Sequence, residues 1–186
     1  SEALHDSNLF NDRNPKDYSY EGNDIGKHAS GVLGIEDNPV RDPVAQREVG
    51  GFDRRLTDDG GHLIGARFGG SPGKENLDAQ DRNINRGSYK QMENEWEDVL
   101  NKGGRIYANI ETYKNVGTER PDAYMGWSVT ESTDGKRDWD AFSFTNESAE
   151  TQEQWNKELE KLDIKDDFPN AMSEVYDANH YKNNES

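Results

Sequence analysis

The 186-residue chain contains no cysteine, which excludes disulfides, thiolate zinc sites and cysteine nucleophiles, and suits export and cytosol equally. No apolar run approaches the roughly 20 residues that span a bilayer. The chain starts at Ser1 on a polar segment, without an initiator Met or the apolar core of a signal peptide, and reads as a piece cut from something longer. Hydrophobic residues are scarce, 30% against 32% charged, and mean hydropathy is -1.20. The core must therefore be small, although four Trp, eight Tyr and six Phe argue against full disorder. Cations are scarce as well: 22 Lys and Arg face 38 Asp and Glu, a formal charge of -16. A field of that sign repels nucleic acid at long range. Composition alone thus describes a soluble acidic domain, and a phosphate-binding site in it would have to gather its few cations and a divalent metal locally.

The length suits one domain with one active site. Residues 1–26 are polar, rich in Asn and Asp and without periodicity, and are expected to form a linker or surface arm. Strands are expected over residues 29–36 and 44–49. Eight glycines between Gly50 and Gly73 bend the backbone repeatedly. The short apolar piece from His62 to Phe68 among them suits either a strand presenting His62 at a tight turn or a flexible loop. Gly87 to Lys102 is the best helix, because Tyr89, Met92, Trp96, Val99 and Leu100 fall on one face and Gly103-Gly104 stops it. Glu93 borders that face, where an unpaired carboxylate is costly. Residues 105–114, 123–131 and 139–145 read as strands, the last two joined by a hairpin turn at Ser132–Gly135. Helices are expected from Ser148 to Leu162 and from Asn170 to Tyr176.

The stretch from Asp58 to Glu93 carries the chemistry. Asp59-Gly60-Gly61-His62 is followed by Asn76-Leu77-Asp78-Ala79-Gln80, then by Asn85-Arg86-Gly87, then by the helix carboxylate Glu93. These four pieces, in this order, resemble the DNA/RNA non-specific endonuclease family, which has a ββα-metal (His-Me finger) site built around an Asp-Arg-Gly-His motif. The spacings of nine residues from Asn76 to Asn85 and eight from Asn85 to Glu93 fit the family pattern. Gly60 stands where the family has Arg. The Gly-Gly-His variant, with Arg67-Phe68-Gly69-Gly70 after it, resembles the polymorphic-toxin branch and, within it, nuclease toxins exported by type VII secretion. The resemblance covers roughly residues 28–130.

The resemblance implies that His62 is the general base and that Asn85 is the direct protein ligand of a single Mg²⁺, with Mn²⁺ as a substitute. A continuous helix would put Glu93 about 12 Å along the axis from Asn85, so Glu93 is expected to orient metal-bound water rather than ligate. Asn76 would support the site, and Asp59 would buttress the turn holding His62. Among Arg47, Arg54, Arg55, Arg67, Arg82 and Arg86, the first choices for holding phosphate are Arg47 and Arg67; the bland alternative is pairing with surface carboxylates. Without such company, His62 would be a histidine in a glycine loop and Asn85 a helix cap.

The expected fold is α+β, a ββα-metal nuclease with a mostly antiparallel sheet: arm 1–26, nuclease domain 27–146, and a helical C-terminal extension 147–186 packed alongside. The implied function is Mg²⁺-dependent hydrolysis of DNA, and of RNA as a further substrate, without base recognition. The setting would be a secreted antibacterial toxin acting in the target-cell cytoplasm, with a cognate antitoxin as partner. Rival readings are a catalytically inactive, nuclease-like binding module and an acidic nucleic-acid mimic.

Overall fold

The computed structural model describes residues 2–147 and residue 157. A short helix α1 (Glu2–His5) leads to strands β1 (Ser19–Asn23) and β2 (Gly26–Val32), helix α2 (Pro43–Glu48) and strands β3 (Asp58–His62) and β4 (Leu77–Asp81). Helices α3 (Arg82–Arg86) and α4 (Ser88–Asn101) follow, then strands β5 (Arg105–Tyr113), β6 (Ala123–Glu131) and β7 (Arg137–Thr145). The five strands β1-β2-β5-β6-β7 form one antiparallel sheet, while β3 and β4 pair separately as an antiparallel hairpin. The fold is α+β, and the hairpin with the helices after it is the expected ββα element. No helix among the described residues is long and apolar enough to cross a membrane.

Alternation in β5 buries Ile106, Ala108 and Ile110 on one face of the sheet. Against that face α4 lays Tyr89, Met92 and Trp96, as its apolar spacing predicts. Trp96 meets Phe68 and Phe142 edge-on, with ring centroids 6.2 and 6.1 Å apart, and Tyr89 meets Tyr124 at 5.8 Å. Aromatic burial of this kind holds a small core together where aliphatic residues are few.

Two local expectations are corrected. Residues 44–49 form not a strand but α2: Asp42 caps it, its Oδ1 accepting from Val44 N and Ala45 N at 3.1 Å each, and Pro43 occupies the first turn. Capping and a preset proline φ outweigh the strand preference of two valines. The arm assigned to residues 1–26 is built into the molecule. Ser19–Asn23 pair with β2, and Leu9 and Phe10 are buried in a second cluster with Val32 and Val129. Because β1 is an edge strand with a mostly exposed pattern, it carries no apolar alternation to announce it. The helices expected beyond Ser148 lie outside the described residues.

Three polar anchors fix the hairpin to the sheet. At the start of β3, buried Asp58 receives Arg120 Nε at 2.7 Å and Nη2 at 3.0 Å. Removing one partner of such a pair strands a charge in the interior. Buried Asn146 donates to Ala79 O and Pro121 O and accepts from Asp81 N. Lys27 Nζ donates to Leu77 O at 2.6 Å, and Leu77 is the residue opposite His62 in the hairpin register.

Candidate active site

His62 ends β3, and its ring is only 7% exposed. Burial, then the positive charge of Arg41, push its pKa down to about 4; the imidazole is therefore neutral at pH 7 and able to accept a proton. Its Nε2 is buried with no hydrogen-bond partner among the described residues. An imidazole nitrogen left so costs about 1–3 kcal/mol, a cost that points to a partner arriving with substrate.

The glycines before His62 are explained by packing. A Cβ on Gly60 would stand 2.5 Å from Gln46 Cα and 2.7 Å from its carbonyl carbon, so α2 sits directly on the Gly60 backbone. Gln46 Nε2 donates to Gly60 O at 3.2 Å. The place where the family carries Arg is thus filled by α2, and the segment leading into α2 brings Arg41 to the site instead. A Cβ on Gly61 would overlap the Gln80 side chain from β4.

Beyond the hairpin, Asp81 caps α3 by accepting from Asn83 N at 2.9 Å. The chain then breaks at Gly87 (φ -108, ψ -107) before α4 starts. Asn85 and Glu93 therefore stand on two helices rather than on one continuous helix. Asn85 on α3 and Glu93 on α4 line the same cavity of about 220 Å³, together with Arg41, His62, Arg67 and Lys90.

Asn85 Nδ2 donates to Asp59 Oδ2 at 3.0 Å, which fixes the amide orientation and leaves its carbonyl oxygen unengaged among the described residues. Asp59 also receives Arg86 Nε at 2.9 Å and Nη2 at 3.0 Å, with Arg82 Nε at 3.8 Å. Asp59 therefore works on Asn85 and α3, not on the turn that holds His62. Glu93 makes no hydrogen bond or ion pair among the described residues; its Oε2 lies against the Gly65 backbone, where a Cβ would overlap it. Burial pushes its pKa up to about 7, opposed by Arg67, Arg41 and Lys90.

Asn76 stands apart from the cavity. It is fully buried, accepting from Ile64 N at 2.9 Å and donating to Ile64 O and Ser71 O at 2.8 and 2.9 Å. With its side chain so engaged, it holds the loop between β3 and β4 in shape and offers nothing to a ligand. Arg67 lines the cavity but is tied to Asn94 and Glu97 at 2.7 and 2.9 Å. Arg47 lines an adjoining groove with Asn85 and Arg86.

Sequence reasoning missed Arg41, Lys90 and Gln46. Arg41 precedes a helix cap and Lys90 lies on the polar side of an ordinary helix, so neither carries a local signal. Arg41, Arg47 and Lys90 form no ion pair among the described residues, although acids outnumber cations in the chain. Residues 41–90 hold nine Lys and Arg against eight Asp and Glu, whereas the rest of the chain holds 13 against 30. The acidic excess lies outside the segment that builds the cavity.

The donor set can be tested against a divalent ion. A free amide oxygen on Asn85 and an unpartnered carboxylate on Glu93 are hard oxygen donors. No group of three His, Asp or Glu close enough to cage a metal occurs among the described residues. These residues fit an ion held by few protein ligands, Asn85 foremost, and otherwise by water and phosphate oxygens.

The chain resembles known proteins in sequence and in fold. The model of the family described as DNA/RNA non-specific endonuclease matches residues 8–123. Type VII secretion system proteins EssD from Staphylococcus aureus strains USA300 and NCTC 8325 are 41% identical over 90 residues, which is 45% of this chain and only 15% of each relative. A solved structure of Sda1 nuclease with bound zinc ion superposes with a TM-score of 0.51 at 17% identity, covering 72% of this chain and 75% of that one. At that identity the likeness establishes the fold.

Proposed function

Because this chain belongs to the DNA/RNA non-specific endonuclease family, we propose that it hydrolyses phosphodiester bonds of DNA, and of RNA, with Mg²⁺ as the working ion and Mn²⁺ as a substitute. The observation that carries this reading is the convergence of the neutral, unpartnered His62 with the oriented amide of Asn85 in one cavity. His62 takes a proton from the attacking water, the new P–O bond forms, and the bond from phosphorus to the 3′ oxygen breaks. The products are a 5′-phosphate and a 3′-hydroxyl, the latter protonated from solvent, and His62 then returns its proton to solvent. Asn85 would hold the ion, which when bound supplies charge stabilisation at the phosphate and the leaving oxygen. Glu93 would orient water around it, and Asp59 orients Asn85. Arg41 and Lys90, without an ion pair among the described residues, hold the non-bridging phosphate oxygens. All these contacts are to backbone groups common to every nucleotide, which accounts for cleavage without base recognition.

The likeness to EssD proteins supports reading the chain as the nuclease domain of a toxin exported by type VII secretion. It would act in the cytoplasm of a competing cell and be held inactive in the producer by an immunity protein. The near-neutral charge of residues 41–90 favours an enzyme over an acidic nucleic-acid mimic.

The test is incubation with plasmid DNA and with RNA in Mg²⁺, in EDTA and with His62→Ala. Degradation of both substrates by the unmodified protein in Mg²⁺ alone is expected. If that protein leaves both intact in Mg²⁺, the enzyme reading fails.

A further inference from the structure

Alongside the catalytic cavity runs a second, open groove of about 420 Å³. It shares Gln46, Gly60, Asn85 and Arg86 with the cavity, so the two form one continuous trough. The added wall includes Arg47, which forms no ion pair among the described residues, and Arg54. Among the described residues the Arg54 guanidinium donates to the carbonyls of Gln46, Val49 and Asp58 and meets no carboxylate. Asp59 is the one acid on the groove, and it is already engaged by Asn85 and Arg86.

Two residues before Arg54, hence within about 7 Å of it along the chain, Phe52 is fully exposed, and so is Leu56 two residues after. A completely bare aromatic ring is unusual in a chain with so few apolar residues. The turn that presents it is not loose. Phe52 N donates to Glu119 Oε2 at 3.0 Å, Glu119 N donates to Asp53 Oδ2 at 2.7 Å, and Asp53 N donates to Gly50 O at 3.0 Å. Gly50 itself sits at φ +88, a conformation that favours glycine. The ring is therefore held out into solvent, two residues along the chain from the groove's Arg54, by a turn bonded on both sides through Glu119 and Asp53.

We propose that this groove is a subsite for an unpaired nucleotide next to the scissile bond, its phosphate held by Arg47 and Arg54 and its base stacked on Phe52, so that the protein prefers single-stranded over duplex nucleic acid. Stacking tolerates any base, because every base has a π-face, which keeps the subsite compatible with cleavage at any sequence. A paired base inside a duplex has both faces covered and cannot use the ring. The inference rests on the nuclease reading for its substrate but goes beyond it in strand preference.

The test uses the full chain. In the His62→Ala background with Mg²⁺, binding of a fluorescent 12-nucleotide single strand and of the matching duplex is measured with and without Phe52→Ala and Phe52→Trp. Phe52→Ala should weaken single-strand binding at least fivefold, leave duplex binding within twofold, and leave the melting temperature unchanged because the ring packs on nothing. Phe52→Trp should restore single-strand binding. Equal effects on both strands, no effect on either, or an effect of Phe52→Ala confined to binding of a protein inhibitor would each overturn the proposal. Cleavage assays on the otherwise unmodified protein keep the two readings apart. Activity without Phe52 dependence sinks the subsite alone, whereas Phe52-dependent binding without cleavage sinks the nuclease reading alone.

Discussion

Gly65→Ala separates the placement of Glu93 from the stability of the fold. Gly65 has φ -58 and ψ 151, a conformation open to alanine. The added methyl meets one obstacle: Glu93 Oε2 falls well inside 3.0 Å, whereas Glu93 Cδ is at 3.3 Å and Arg67 Cγ at 3.7 Å. Since an ordinary carbon–oxygen contact is roughly 3.4 Å, the carboxylate oxygen must retreat by about 1 Å. Glu93 has no hydrogen bond to lose, and replacing Gly by Ala narrows the unfolded ensemble by about 0.4–1 kcal/mol. The melting temperature should therefore stay within about 3 °C of wild type, given about 2–4 °C per kcal/mol for a chain of this size. A group misplaced by 1 Å costs up to about 100-fold in rate, so nuclease activity in saturating Mg²⁺ should fall by 10- to 100-fold. Initial rates on plasmid DNA, read beside a thermal melt of the same sample, decide the matter. Unchanged activity at unchanged stability would refute a working role for Glu93. A large stability loss would refute the packing.

Restoring the family's residue with Gly60→Arg should harm this protein. The side chain meets Gln46 backbone, which cannot swing aside; overpacking against a fixed element costs about 1–3 kcal/mol, a fall of roughly 2–12 °C in melting temperature. A variant as stable as wild type would show that α2 does not close that position. Acid stability should also report on His62. Its folded pKa, about 4, lies below the unfolded value of about 6.5, so the unfolded chain binds the proton first as pH falls and stability is lost between those limits. At pH 5 the penalty is about 2 kcal/mol relative to pH 7.5, and His62→Gln should gain that much over wild type across the same interval in urea unfolding. A difference independent of pH would mean that the ring is not buried as neutral imidazole.

Strands β5, β6 and β7 were legible because alternation and a Ser-Thr-Asp-Gly turn act within a few residues of themselves. Helix α4 was legible because its apolar face repeats at helical spacing. Helix α2 and strand β1 were harder. The former depends on one aspartate cap overruling two valines, and the latter is an edge strand with only one face to satisfy, mostly polar. The order of His62, Asn76, Asn85 and Glu93 pointed to one site, but order does not reveal which way a side chain faces. Asn76 turned inward to hold a loop, and Asp59 reached Asn85 through the pairing of β3 against β4.

By itself the sequence determined the family of elements and the residue types at the candidate site, since propensity, capping and periodicity are local. Only the tertiary structure decided which groups are left unsatisfied. Whether a cation is neutralised depends on what other segments bring within about 4 Å of it. Arg55 and Arg67 find carboxylates at Glu147 and Glu97, Arg86 finds Asp59, and Arg41, Arg47 and Lys90 find none among the described residues. With a net charge of -16, three side chains at one trough without an ion pair among the described residues are what the fold, through contacts distant in sequence, leaves available.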